Sequence, residues 1–212
     1  MKNSNTPKYC HIARLIILLV FLVTFANQAF CQAEVEPWGN INGIRKKGQL
    51  FNFESSIVVV KGNQFISTGK ERQQPHYKRS GDDQIITTNI DSLFIKEVVT
   101  DLSGGRINVT VTLNAHAAIV NDGIFFCLTL PGEGSMRFSG SSEEFKHFVD
   151  AGRNYDGLAN GGKFKTSAQK ITVKFANPEA IRIRKDTTHG KNELKFYVAL
   201  KLNGLRKGEI LQ

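Results

Sequence analysis

The sequence predicts an all-β protein, a two-sheet antiparallel β-sandwich with one short helix. Three observations carry that expectation. Apolar and polar residues alternate, most cleanly in "RINVTVTL", where Ile107, Val109, Val111 and Leu113 share one face and Asn108, Thr110 and Thr112 the other. The continuous apolar runs "SSIVVVKG" and "GIFFCLTLP" suit strands covered on both faces. Turn signals ("KGN", "SGDD", "LSGG", "NDG", "PGEG", "ANGG", "ANPE") punctuate the chain at short intervals, the rhythm of roughly ten strands in two packed sheets.

In chain order, residues 1–31 stand outside the fold as a signal peptide. Lys2, Lys8 and Arg14 form a positive head, Leu15–Ala26 an apolar run of 12 residues, and "NQAFCQ" a cleavage region. The run is shorter than the ~20 residues that span a bilayer. Ala29 and Cys31 are the small residues expected before a cut at Gln32. Phe30 stands where a lipoprotein signal carries a small residue, so release is expected over anchoring through Cys31. The chain is therefore expected to be exported to the periplasm, the cell surface or the medium. Residues 32–212 would form a single β-sandwich domain with no transmembrane segment. Losing the three basic leader residues lowers the net charge from +9 to +6, with the remaining cations dispersed along the chain. That dispersal gives no reason to expect a nucleic-acid partner. Of three cysteines only Cys127 lies beyond the leader, and inside an apolar run it reads as a small core residue.

"WGNINGIRKKGQLFNFES" (Trp38–Ser55) reads as the first hairpin, with Asn40–Ile44 as its first strand and Arg45–Gly48 turning the chain back. Leu50, Asn52 and Glu54 fall on one face, and Phe51, Phe53 and Ser55 on the other. The pattern leaves open which face is inward. "DLSGGR" joins Leu93–Thr100 to Arg106–Ala115 as a second hairpin. The helix is expected in "SGSSEEFKHFVDAG", where Ser141 and Glu144 form a capping box, Phe145, Phe148 and Val149 make an apolar stripe, and Gly152 ends it. "GRNYDGLANGG", Gly152 to Gly162, reads as a loop. "ITVKF", "IRIRK" and "ELKFYVALKL" return to strand alternation.

Known catalytic patterns fit poorly. Gly43 and Gly48 have phosphate-loop spacing, but Gln49 and Leu50 follow where Lys and Ser/Thr are needed. His76, His116, His147 and His189 lack metal-ligand spacing, so no metal or other cofactor is expected. Asp150 and Asp156 lack the alternating oxygen ligands of a calcium loop. Glu143 and Glu144 are adjacent and suit a helix start better than a carboxylate pair, and Asp82 and Asp83 read as turn formers. No nucleophile elbow is present. The remaining polar stretch is "TGKERQQPHYKRSGDDQ", Thr68 to Gln84. With Trp38 it supplies candidate carbohydrate-binding residues: Trp38 and Tyr77 to stack on sugar faces, Arg72 and His76 to bond hydroxyls. Against that stand plainer readings: an exposed loop and edge strand for Thr68–Gln84, and a partly buried anchor for Trp38.

Taken as a set, "EPWGNINGIRKKGQLFNFESSIVVV", "TGKERQQPHY", "QIITTNIDSLFIKEVVTD" and "GIFFCLTLPG" resemble the amino-terminal β-sandwich module of large secreted bacterial glycoside hydrolases. The resemblance covers residues 34 to 212. It implies a carbohydrate context, with a polysaccharide or oligosaccharide and a catalytic glycosidase domain as partners. No catalytic residue carries over, because this sequence stops at "LRKGEILQ", ahead of the position of a catalytic barrel. The expectation is a non-catalytic module, from a truncated gene or acting alone. The alternatives are an independent envelope glycan-binding protein and a small sugar-active hydrolase or epimerase.

Overall fold

In the computed structural model the described residues are 32–69, 73–132, 135–139, 147–149, 154–166, 170–187, 190 and 192–212. The expected signal peptide lies outside them. The described residues are nearly all strand, and among them the three sheets have only antiparallel pairings. The first sheet contains β1 (Gln32–Val35), β2 (Ile41–Lys46) and β3 (Gln49–Asn52). Next come β4 (Glu54–Lys61) and β5 (Gln64–Ser67), then β6 (His76–Ser80), β7 (Asp83–Ile90), β8 (Leu93–Leu102) and β9 (Arg106–Ala115). The remaining strands are β10 (Gly123–Pro131), β11 (Ser135–Ser139), β12 (His147–Val149), β13 (Tyr155–Lys165), β14 (Lys170–Asp186), β15 (Glu193–Lys201) and β16 (Ile210–Leu211). The large sheet has the order β12-β11-β13-β14-β15-β10-β4-β5, and the small one β16-β9-β8-β7-β6.

Period-two alternation decides which faces meet. Leu93, Ile95 and Val99 of β8 and Leu113 and Ala115 of β9 are buried. All of these but Val99 face Ile57, Val59 and Ile124 of the large sheet in one apolar cluster. A second cluster joins all three sheets. Ala33 and Ile41 come from the first sheet and Val99 from the small one; Leu128, Phe164, Ile183 and Phe196 come from the large one. The short first sheet thus fills one part of the space between the two larger ones. Phe53 and Ser55 are buried while Asn52 and Glu54 are exposed, so the phenylalanine face of the first hairpin is the inward one. The hairpin turns at Lys47 and Gly48, both with positive φ, as in the two-residue turns that match strand twist.

Two expectations are corrected. His147–Val149 is not helical but a strand, paired to Met136–Phe138 of β11; inter-strand hydrogen bonding there overrides the helical spacing of Phe148 and Val149. The remainder of the expected helix, with Glu143, Glu144 and Asp150, lies outside the described residues. Nor is Tyr155–Gly162 a loop, because it belongs to β13. Its glycines mark an irregularity in a long strand pair: Ala159 pairs with Glu179 and Gly161 with Lys174, so Phe175–Pro178 bulge out opposite one residue. A side chain at Gly161 would sit 2.3 Å from the Val173 carbonyl oxygen. The signals "ANGG" and "ANPE" therefore punctuate one shared bulge, not two chain reversals.

Candidate functional site

The separate motif pieces of the sequence meet in space. Asn40 and Thr68, both buried, lie beside Glu54 and Ser55. The Ile57 backbone N–H donates to the Thr68 hydroxyl (3.0 Å), that hydroxyl donates to Asn40 Oδ1 (3.2 Å), and Asn40 Nδ2 donates to Glu54 Oε1 (3.2 Å). The Ile41 N–H donates to the Ser55 hydroxyl at 2.9 Å. Gly69 lies against Trp38, whose Cδ1 would be 3.6 Å from a Cβ there. "WGN", "FESS" and "TG" are thus one clamp that satisfies buried polar groups where β2, β4 and β5 converge.

Beneath this clamp lies a carboxyl the sequence analysis passed over. Glu97 follows Leu93 and Ile95 on the inward face of β8 and is 4% exposed. Its Oε1 has no hydrogen-bond partner, and burial pushes the carboxyl up from 4.5 to about 8. Gly39, at φ 102°, packs over it; a Cβ there would be 3.0 Å from Glu97 Oε2. The signal was present in "LFIKEVV": a glutamate at an inward register position of an otherwise apolar strand face.

Of the sequence-derived sugar residues, His76 and Tyr77 fall on opposite faces of one strand. Trp38 is half-buried in the loop between β1 and β2. Tyr77 pairs with Ile86 but is itself 42% exposed, with its hydroxyl donating to Gln84 Oε1 at 3.0 Å. Gln84 in turn donates to the Ala33 carbonyl, so Tyr77 helps tie β1 to the small sheet. His76, one residue earlier on the same edge strand, falls on the opposite face. Arg72 lies outside the described residues.

A cleft of about 460 Å³ opens elsewhere, at the seam of all three sheets. Its floor is apolar: Ile44, Phe51 and Phe53 from the first hairpin, Ile107 from β9 and Ile171 from β14. Its rim carries Lys46, Arg106, Lys170 and Lys174, with Asn108 and Thr172 between them, and among the described residues no carboxylate lines it. All four cations are exposed. Among the described residues none of the four is in an ion pair. Alternation within each strand sets them. In the "RKK" run, Arg45 turns away to pair with Glu34, while Lys46 shares its face with Ile44 and Phe51. Lys170, Thr172 and Lys174 alternate with Ile171 and Val173, which pack on the core. Gly105, at φ 80°, lets the Lys46 stem lie across the β8–β9 turn; a Cβ there would be 2.6 Å from Lys46 Cδ.

A second hollow, about 610 Å³, lies on the outer face of the large sheet, lined by Phe125, Asp156, Leu158, Arg182 and Arg184 among others. Its guanidinium groups are already engaged. Arg184 Nη2 donates to both Asp156 carboxylate oxygens at 2.9 Å, and Arg182 lies over the Phe125 ring at 4.8 Å. The seam cleft, with uncompensated charge, is the stronger candidate. Cys127 is buried and its thiol is pushed up to about 12, mainly by burial, which leaves it inert. Among the described residues no cluster of three His, Cys, Asp or Glu could hold a metal ion, and no helix is long and apolar enough to cross a membrane. No protein-family model matches the chain, and comparison with curated proteins finds no match.

Proposed function

We propose that this chain is a non-catalytic β-sandwich module of polysaccharide degradation, exported and serving to hold a glycan near a glycosidase domain. The observation that carries the reading is the seam cleft. Its apolar floor offers contact to the C–H faces of sugar rings, and its rim offers donors to hydroxyl and acidic oxygens. The resemblance of the first hairpin and its partner segments to hydrolase-associated modules supports the same reading. It also fits that the motif residues build a clamp, since a module of this kind needs a rigid frame more than a reactive group.

The test is to measure retention on a panel of immobilised polysaccharides, with reducing-end release assayed on the same polymers. Retention without release is expected. Release of new reducing ends by the purified chain would overturn the non-catalytic reading, and failure to bind any polysaccharide would overturn the binding role.

A further inference from the structure

Resting on that reading, we propose that the glycan held in the seam cleft is anionic, a polymer carrying uronate carboxylates or sulfate esters. Lys46, Arg106, Lys170 and Lys174 come from three separate parts of the chain and converge on one concave surface that, among the described residues, carries no acid. A concave, partly apolar wall focuses their field, so an anion there gains more than at four scattered surface sites. The adjoining strand adds neutral partners. Among the described residues, Lys170–Lys174 of β14 pairs with β13 on one side only, whereas Ile181–Ile183 is paired on both. The free edge leaves backbone N–H and C=O groups for sugar hydroxyls, beside Thr172 and Asn108. Lysines on such an edge also discourage strand-to-strand association. That role would not require Lys46 and Arg106 to face the same hollow.

A nucleic acid fits less well. Neither Phe51 nor Phe53 is exposed, so the cleft offers no open aromatic face for base stacking. A pyranose ring asks only for a partly apolar floor and for cations at its acidic groups.

The experiment is calorimetry of the protein with polygalacturonate, chondroitin sulfate, neutral dextran and single-stranded DNA at several salt concentrations. Binding of polygalacturonate, chondroitin sulfate or both is expected, weakening steeply with salt, while dextran binds much less. The two polymers separate a carboxylate from a sulfate preference. The triple variant Lys46→Gln, Lys170→Gln, Lys174→Gln is expected to lose about tenfold in affinity, from modest contributions of exposed charges. A control triple, Lys78→Gln, Lys185→Gln, Lys207→Gln, removes equal charge elsewhere and is expected to keep parental affinity. All six lysines are exposed, so both variants should melt like the parent. Dextran bound as tightly as the acidic polymers would overturn the anionic preference and leave the module reading standing. Binding of no polymer would overturn both. Equal losses in the two triples, or tighter binding of DNA than of either acidic glycan, would also overturn the assignment.

Discussion

Replacing Glu97 by Gln is expected to raise the melting temperature at pH 7 by about 10 °C and to leave it unchanged at pH 4. The reasoning follows the proton. The Glu97 carboxyl titrates near 8 in the folded protein against an ordinary 4.5. Below pH 4.5 it is protonated whether the chain is folded or not, and it contributes no pH dependence. Between 4.5 and 8 the unfolded chain releases the proton while the folded chain keeps it, so stability falls as pH rises. Above 8 the loss is complete. At pH 7 the penalty is about 3 kcal/mol, from the free energy of each unit of displacement. Glutamine has nearly the same shape and no proton to release. Thermal melts of parent and Glu97→Gln across pH 4 to 8 read the effect directly. A gap in melting temperature that does not change with pH would mean that packing, not ionisation, separates them.

Gly43→Ala is expected to have the opposite sign and a similar size, a loss of about 3 kcal/mol. Gly43 has φ 146°, and a Cβ there would stand 2.4 Å from the Phe51 carbonyl oxygen and 2.9 Å from Leu50 Cδ1. The obstructing carbonyl belongs to β3, which pairs directly with Gly43 through Asn52. It cannot retreat without breaking that pairing and moving Phe51 and Phe53 off the cleft floor. Gly48 provides the comparison. Its φ is 79°, but a Cβ there meets nothing within 4 Å, so Gly48→Ala is expected to cost only about 1 kcal/mol of backbone strain. Urea unfolding of the two variants checks the difference. Equal losses would show that the close approach at Gly43 is unimportant.

Much of the strand content could be read from period two. β9, β15 and the first hairpin all follow their alternation, and apart from Ala199 the buried hydrophobics of β9 and β15 are the ones it points inward. Alternation failed where glycine and proline mark a bulge, because both residues serve turns and close backbone approaches alike. Gly161 and Pro178 looked like chain reversals and are instead opposite sides of one distortion. The helical spacing of Phe148 and Val149 failed because three residues cannot distinguish a helix turn from a strand once a neighbouring strand is available. The cleft was out of reach for another reason. Lys46, Arg106 and Lys174 become neighbours only through the packing of three sheets, and no local pattern brings them together. Trp38 and Tyr77 drew attention as aromatics; Trp38 also packs beside Gly69, and Tyr77, through Gln84, helps tie β1 to the small sheet. The lysines of the alternating "KITVKF" were the more informative signal, since they lie on the polar side of a strand whose apolar side is core.

The order of strands also carries a consequence for how the chain reaches its native state. From β6 to β9 each strand pairs with the next one along the chain, so that sheet is a meander built from local contacts. The large sheet is different: Val60 must find Gly123, and Phe126 must then find Val198. Because closing long loops delays pairing, the meander is expected to form first and to offer its apolar face as a template for the later strands. Pulsed hydrogen exchange during refolding would show amides of β7 and β8 protected before those of β4 and β10; simultaneous protection would rule the sequence out. Glu97 sits in the middle of that early face. Folding speed as well as final stability should therefore respond to its charge.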